Sequence, residues 1–114
     1  MHCMDDEIEE IKQKLMSYKP EDLEFNEPHF TDRLVSRREN KEDVVQLILN
    51  PGQLVYVKKE IGLYGDTKYS LYFELEPYRT LILPVIFDRN RRKSLYIITY
   101  ILRHRSWRNM VNEK

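Results

Sequence analysis

Residues 40–58 read NKEDVVQLILNPGQLVYVK, and the spacing of apolar side chains changes within this stretch. Before Pro51 the apolar residues recur at helical spacing, at Val44, Val45, Ile48 and Leu49. Asn40 followed by an acidic first turn is typical of a helix start, so we predict a helix over residues 41–49. Pro51 disfavours helical backbone in the residue before it, and Gly52 permits the reversal into a strand. The stretch therefore predicts an α+β fold, with helices first and strands after.

Two further helices are predicted upstream of this stretch. Residues 5–18 place four apolar side chains at helical spacing, with acidic residues in the first turn, where the helix dipole favours them. A proline ends this helix, and residues 21–28 read as a connector in which Leu23 and Phe25 could contact the core. The second helix is predicted over about residues 29–38.

Downstream, the alternating pattern predicts four strands, over residues 54–58, 68–75, 80–87 and 94–100. Residues 61–67 contain two glycines and an aspartate and are the predicted hairpin connection. The remaining links are short, so an antiparallel meander is the expected topology. Pro84 lacks a backbone donor, which predicts a bulge or an exposed edge in the third strand. Both faces of the last two strands are largely apolar, so the first helix or another subunit is expected to cover the second face.

Composition narrows the class of protein. The chain has 114 residues, 41% hydrophobic and 33% charged, which predicts one globular domain. No apolar run approaches the roughly 20 residues that span a bilayer, so no membrane partner is expected. A single cysteine cannot form an internal disulfide, and the start lacks the features of a secretory signal, so we expect a cytoplasmic location. With three histidines and three glycines, all scattered, we expect neither a metal site nor a cofactor.

Charge is distributed unevenly along the chain, although the formal net charge is zero. Residues 1–50 contain 7 Lys and Arg against 13 Asp and Glu, whereas residues 51–114 contain 12 against 6. The two halves could complement each other within one fold. Alternatively, the basic half could present a surface that binds a polyanion such as a nucleic acid.

A basic triplet marks the second predicted helix. His29, Arg33 and Arg37 are spaced four residues apart and share one helix face. Like charges at this spacing repel, so an anionic partner is expected across them, either a phosphate or a carboxylate of the fold. The carboxylates considered are Glu42, Glu74 and Glu76.

Four sequence features carry a resemblance to a known family. They are the triplet His29-x3-Arg33-x3-Arg37, Glu42-Asp43-Val44 opening the next helix, Asn50-Pro51 closing it, and a last strand reaching Thr99-Tyr100. In this order they resemble the small RelE-like domains of the RelE/ParE toxin superfamily and are similar to BrnT-type toxins. The resemblance covers about residues 26–102 and leaves residues 1–25 as an added N-terminal helix and connector.

The resemblance implies a single RelE-like domain, in which N-terminal helices pack on a four-stranded antiparallel meander sheet. It also implies an RNA-binding protein or metal-independent endoribonuclease of a toxin-antitoxin system, with RNA or the ribosome and an antitoxin protein as partners. The alternative is a noncatalytic protein-interaction module of the same fold, acting as a homodimer or with another partner.

Metal-independent RNA cleavage needs a base, an acid and a cation that stabilises the phosphorane. His29 and His104 are candidate proton carriers, because imidazole titrates near pH ~6.5. Tyr72, Tyr78 and Tyr100 could stack on bases or donate a proton, and Tyr100 is the tyrosine assigned to the catalytic set. The candidate nucleic-acid-binding residues are Arg33, Arg37, Arg91, Arg92, Arg103, Arg105 and Trp107. Trp107 could equally pack against the protein itself.

Overall fold

In the part of the chain that the structure describes, three of the four helices lie before Pro51 and five of the six strands lie after it, as the change of spacing at Pro51 predicts. The computed structural model describes residues 3–62 and 67–111. The helices are α1 (Cys3–Met16), α2 (His29–Ser36), α3 (Lys41–Leu49) and α4 (Trp107–Val111). The strands are β1 (Leu23–Phe25), β2 (Leu54–Ile61), β3 (Thr67–Glu76), β4 (Arg79–Phe87), β5 (Leu95–Ile97) and β6 (Ile101–Arg103). The predicted α+β class is confirmed, and no helix in these two ranges is long and apolar enough to span a membrane.

Helix α3 has the predicted bounds because its two end signals act locally. The side chain of Asn40 accepts the backbone N–H of Glu42 at 2.7 Å, which satisfies one of the free donors of the first turn. At the other end Pro51 begins a turn in which its carbonyl accepts the N–H of Leu54 at 3.2 Å. The predicted hairpin connection 61–67 lies partly outside the described residues.

The sheet differs from the predicted four-stranded antiparallel meander. Its six strands run in the order β1-β5-β4-β3-β2, and β6 also pairs with β4. The pairs among β2, β3, β4, β5 and β6 are antiparallel, whereas β1 is parallel to β5. The predicted meander is found in β2, β3, β4 and β5, which pair antiparallel in chain order, but the connector also contains a strand and the last predicted strand is divided. Leu23 and Phe25 contact the core as expected, and strand β1 extends that contact into sheet pairing.

The division of the last strand lies opposite Pro84. Strand β5 pairs with β4 as far as Val85, and β6 resumes the pairing at Ile82, so two residues of β4 face the three residues 98–100. The carbonyl of Pro84 accepts the N–H of Ile98 at 2.8 Å. Because N–H and C=O of one strand residue point to the same side, the donor that proline lacks would point to this bulge and away from β3. An irregularity was predicted at Pro84, as a bulge or an exposed edge of the third strand, and the structure has a bulge there whose extra residue lies in the opposite segment 98–100.

Helix α1 is part of the core. Leu15 is fully buried and Tyr18, just beyond the helix, is 5% exposed. They belong to the same buried cluster as Val57 and Leu71, which lie on one face of the sheet, here called the core face. Of the two covers considered for the second face, the first helix or another subunit, the first helix is excluded, since α1 packs on the core face beside α3.

The second face of the sheet, here called the outer face, carries the side chains that alternate with the core residues. In β3, Leu71 and Phe73 are fully buried, whereas Ser70 and Tyr72 point the other way and are half-buried, as the sequence predicts. The register assigns the following residues to the outer face: Tyr56, Lys58, Glu60, Lys68, Ser70, Tyr72, Glu74, Thr80, Ile82, Pro84, Ile86, Tyr96, Ile101 and Arg103.

Candidate nucleic-acid interface

The predicted basic triplet lies on helix α2, and its middle member contacts the last strand segment. His29 is the first residue of α2 and is exposed. One turn later the Nε of Arg33 donates to the carbonyl of Tyr100 at 3.0 Å. This carbonyl lies in the bulge opposite Pro84, where the strand ladder is interrupted. Arg33 therefore ties helix α2 to the bulge.

One of the carboxylates considered as partners of the triplet, Glu76, pairs with another arginine. Within the described residues, the hydrogen bond of the Arg33 side chain goes to the backbone and not to a carboxylate. Glu76 instead accepts from Arg79 at 3.3 Å, and the same guanidinium lies 4.0 Å from Glu39. Arg33 therefore donates to a backbone carbonyl in the bulge rather than to one of these carboxylates.

Tyr100 is a buried residue rather than an exposed one. It is 2% exposed, and its ring meets the ring of Phe30 edge to face with centroids 6.2 Å apart. Burial raises the pKa of the Tyr100 phenol, Glu39 raises it further, and Arg79 and Arg37 oppose the rise. The phenol is therefore neutral near pH 7 and can act as a proton donor but not as a base. It borders a cleft of about 180 Å³ between α3 and the sheet.

His104, the second candidate histidine, follows β6 at the end of that strand away from Tyr100. His104 is exposed in the bend after β6, and the carbonyl of the neighbouring Arg105 accepts the hydroxyl of Thr80 at 2.9 Å. The hydrogen bonds found in residues 3–62 and 67–111 join neither His29 nor His104 to Tyr100. The same residues hold no group of three His, Cys, Asp or Glu side chains able to ligate a metal ion. A catalytic role for the two histidines stays a prediction.

The arginines of the basic turn after β4 lie in two different environments. Arg92 forms an ion pair with Glu24 of β1, which Arg89 also contacts at 3.4 Å. Arg89 also lies 3.7 Å from the centre of the Tyr96 ring on the outer face. Arg91 is exposed beside helix α1 and has no ion pair with a described residue. The turn is therefore not a uniformly solvated loop.

Trp107 and two tyrosines form a cluster on the outer face, here called the aromatic cluster. The ring of Trp107, at the start of α4, stacks on Tyr56 with centroids 6.1 Å apart and an angle of 25°. Tyr72 meets Tyr56 edge to face at 5.3 Å. Arg108 lies 5.0 Å from the Trp107 ring. All three aromatic side chains are half-buried, so each keeps accessible surface.

The aromatic cluster continues as a row across the sheet. Tyr56 is opposite Tyr72, which is opposite Ile82, and Ile82 is opposite Ile101. These side chains are half-buried. The row therefore spans strands β2, β3, β4 and β6 and gives the outer face a continuous row of half-buried aromatic and aliphatic side chains.

Cations flank this row on both sides. Lys58, two residues from Tyr56 on the same face, has a side chain that is 55% exposed. Lys58 and Lys68 share a single carboxylate, Glu60, at 3.5 and 3.4 Å, so the three groups have a net positive charge. Hydrogen bonding from Lys68 lowers the pKa of Glu60 against the opposing effect of burial. On the other side of the row Arg103 is exposed.

The members of this surface that were not among the sequence candidates include Tyr56 and Lys58 of strand β2. The alternation of side chains along β2 could have identified these two residues, because it places them on the face opposite to Val57. The sequence also names Tyr72 and Trp107, but only the register of β2 with β3 and the position of α4 show that they meet around Tyr56.

Comparisons of the chain with protein-family models, with curated protein sequences and with solved structures found no match. The resemblance to RelE-like domains therefore rests on the sequence features given above. The functional conclusion rests on the geometry of the outer face.

Proposed function

We propose that this protein is a RelE-like RNA-binding domain that holds single-stranded RNA across the outer face of its sheet. The observation that carries the proposal is the aromatic cluster, continued as a row across four strands and flanked by cations. Bases of single-stranded RNA are free to stack on aromatic rings, and cations beside the rings follow the phosphate backbone. A duplex, whose bases are already stacked, offers no equivalent contact.

The electrostatics of the face support a polyanionic ligand. Lys58 and Lys68 share one carboxylate, Glu60, and on the far side of the row the exposed Arg103 lies in the same register row as Glu74. The residues assigned to this face therefore include three cations and two carboxylates. Binding of phosphates to such cations releases counterions, so affinity depends strongly on salt. Because stacking accepts every base, we expect weak sequence preference.

Two neighbouring lysines provide a matched test of this face. Lys58 points to the outer face, whereas Lys59 is opposite Tyr69 and belongs to the other face of the same strand. Both are exposed, so Lys58→Gln and Lys59→Gln remove the same charge without opening the core. The measurement is fluorescence anisotropy with a labelled single-stranded RNA and with its duplex. We expect Lys58→Gln to weaken single-strand binding by roughly threefold or more, with Lys59→Gln close to wild type.

Equal effects of the two substitutions would contradict binding at the outer face, since only the side of the strand distinguishes them. Tighter binding of the duplex than of the single strand would contradict the role of stacking. Absence of RNA binding at low salt, together with self-association of the chain, would favour the protein-interaction module.

Cleavage is not part of the proposed function. His29 lies on α2, His104 lies after β6 and Tyr100 is buried, and no hydrogen bond among the described residues joins the three side chains. We expect end-labelled RNA to remain intact with the wild-type protein in the presence of a metal chelator. Cleavage that disappears in the double variant His29→Ala/His104→Ala would overturn this expectation.

A further inference from the structure

A basic cleft lies where the end of helix α1 meets the turn after β4. It has a volume of about 420 Å³, within the range of about 300–1,000 Å³ typical of small-molecule sites. Its lining residues are Lys14, Ser17, Tyr18, Asp88, Arg91, Arg92 and Lys93. Four of the seven are cations and one is an acid, so the cleft has an excess of positive charge.

The one carboxylate of the cleft is already engaged. Asp88 accepts from Lys14 Nζ at 2.7 Å, from the hydroxyl of Tyr18 at 2.9 Å and from the backbone N–H of Ser94 at 3.2 Å. Burial acts to raise the pKa of Asp88, but the hydrogen bonds from Lys14 and Tyr18 outweigh it and lower the pKa. Asp88 is therefore ionised at neutral pH, and its charge is offset by that of Lys14.

Not all of the other cations of the cleft have an ion-pair partner. Arg92 is paired with Glu24 outside the cleft. Arg91 and Lys93 are exposed and have no ion pair with any residue in the described ranges. Arg91 and Lys93 thus line the cleft without an ion-pair partner among the described residues, and Lys93 also borders a neighbouring cleft that contains Glu21, Asp22 and Glu24.

We propose that this cleft binds a phosphate group carrying at least two negative charges, such as a terminal phosphate monoester or a pyrophosphate. Near pH 7 a phosphate monoester carries close to two charges, because its second pKa is about 6, and Arg91 and Lys93 offer the same number of opposite charges. Guanidinium and ammonium groups are the side chains that bind phosphate oxygens through charge-assisted hydrogen bonds. The cleft is formed by α1 and the turn after β4, so the inference does not depend on RNA binding at the outer face.

The test uses isothermal titration calorimetry of the full chain with inorganic pyrophosphate at low salt. The variant Arg91→Asn/Lys93→Gln removes both free cations, and asparagine suits position 91, where φ is 59°. The matched control is Arg38→Asn/Lys59→Gln, since Arg38 is also an exposed arginine with positive φ, at 56°, and lies outside the cleft. We expect at least about a tenfold loss of affinity in the cleft variant and none in the control. Lys93→Arg keeps the charge and should retain binding.

Competition with the bound pyrophosphate distinguishes the sources of the phosphate. Displacement by a nucleoside diphosphate alone assigns the cleft to a free nucleotide. Displacement by a 5′-phosphorylated oligonucleotide, but not by its 5′-hydroxyl form, assigns it to an RNA end. Equal pyrophosphate affinity of the cleft variant and the control, absence of binding, or failure of both competitors would overturn the proposal.

Discussion

Glu27 shows how a single carboxylate organises the start of helix α2. Its two oxygens accept the backbone N–H of Thr31 at 3.0 Å and the hydroxyl of Thr31 at 2.7 Å, and the side chain also pairs with Lys41. The hydrogen bond from Lys41 and those from Thr31 lower the pKa of Glu27 to about 2. The ionised carboxylate thus links the start of α2 to the start of α3.

This arrangement predicts a pH-dependent contribution to stability. A carboxylate whose pKa is lower in the folded state stabilises the fold fully above its unfolded pKa, and the contribution is lost as the pH falls toward the folded value. For Glu27 the window runs from pH 4.5 down to about 2. Because the pair is partly exposed, we expect Glu27→Gln to cost only about 0.5–1 kcal/mol at pH 7. Urea unfolding at pH 7 and pH 2.5 should show this difference shrinking, and a constant difference would contradict the assignment.

Helix α1 illustrates what could be predicted at the scale of an element. Its apolar spacing predicted an amphipathic helix, and the structure confirms the helix and buries its stripe. The face of the sheet that it covers could not be read from the spacing, because both faces of the last two strands are apolar. Only the packing of Leu15 and Tyr18 with the core-face residues decides it.

The core role of α1 predicts a large difference between two adjacent substitutions. Leu15 is fully buried, whereas Met16 is 50% exposed. We expect Leu15→Ala to lower the free energy of unfolding by about 2–5 kcal/mol, through lost burial and a residual cavity. Met16→Ala should change it by no more than about 0.5 kcal/mol, as is usual at surface positions. Equal effects in urea denaturation would show that α1 is not a core element.

The elements that sequence reasoning missed are short. Strands β1 and β6 have three residues each and helix α4 has five, so none contains a full apolar repeat. Strand β1 forms because β5 offers it a parallel edge, which is a tertiary contact. Longer elements with a local signal, such as α3 with its Asn40 cap and β3 with its alternation, were predicted well. The candidate site was likewise predicted only where the signal is local. Trp107 was named from its residue type and sequence neighbours, but its contact with Tyr56 depends on the fold.

At the scale of the whole molecule, the uneven charge along the sequence becomes a difference in charge between the helices and the outer face of the sheet. Helices α1, α2 and α3 come from the acidic half of the chain, whereas Lys58, Lys68 and Arg103 of the outer face come from the basic half. Two interpretations of this uneven charge are therefore compatible. The two halves complement each other within the fold, and a basic surface is presented to a polyanion. Glu24 with Arg92 and Asp88 with Lys14 pair across the structure, while the outer face keeps its excess of cations.

This arrangement predicts a defined dependence of RNA affinity on salt. Each phosphate contact contributes about 0.7 to the slope of log affinity against log salt concentration for a single strand. Removing one contact with Lys58→Gln should reduce the slope by about that amount, and Lys59→Gln should leave it unchanged. The slopes come from anisotropy titrations at several salt concentrations. A reduction of the same size with Lys59→Gln would mean that the cations act through overall charge rather than through the outer face.

The most direct test of RNA binding at the outer face is an NMR titration of the isotope-labelled protein with a short single-stranded RNA. We predict that chemical-shift changes concentrate on Tyr56, Lys58, Tyr72, Ile101 and the indole N–H of Trp107, with little change in α3. Changes centred on His29 and Arg37 of helix α2, with an unperturbed outer face, would contradict the account.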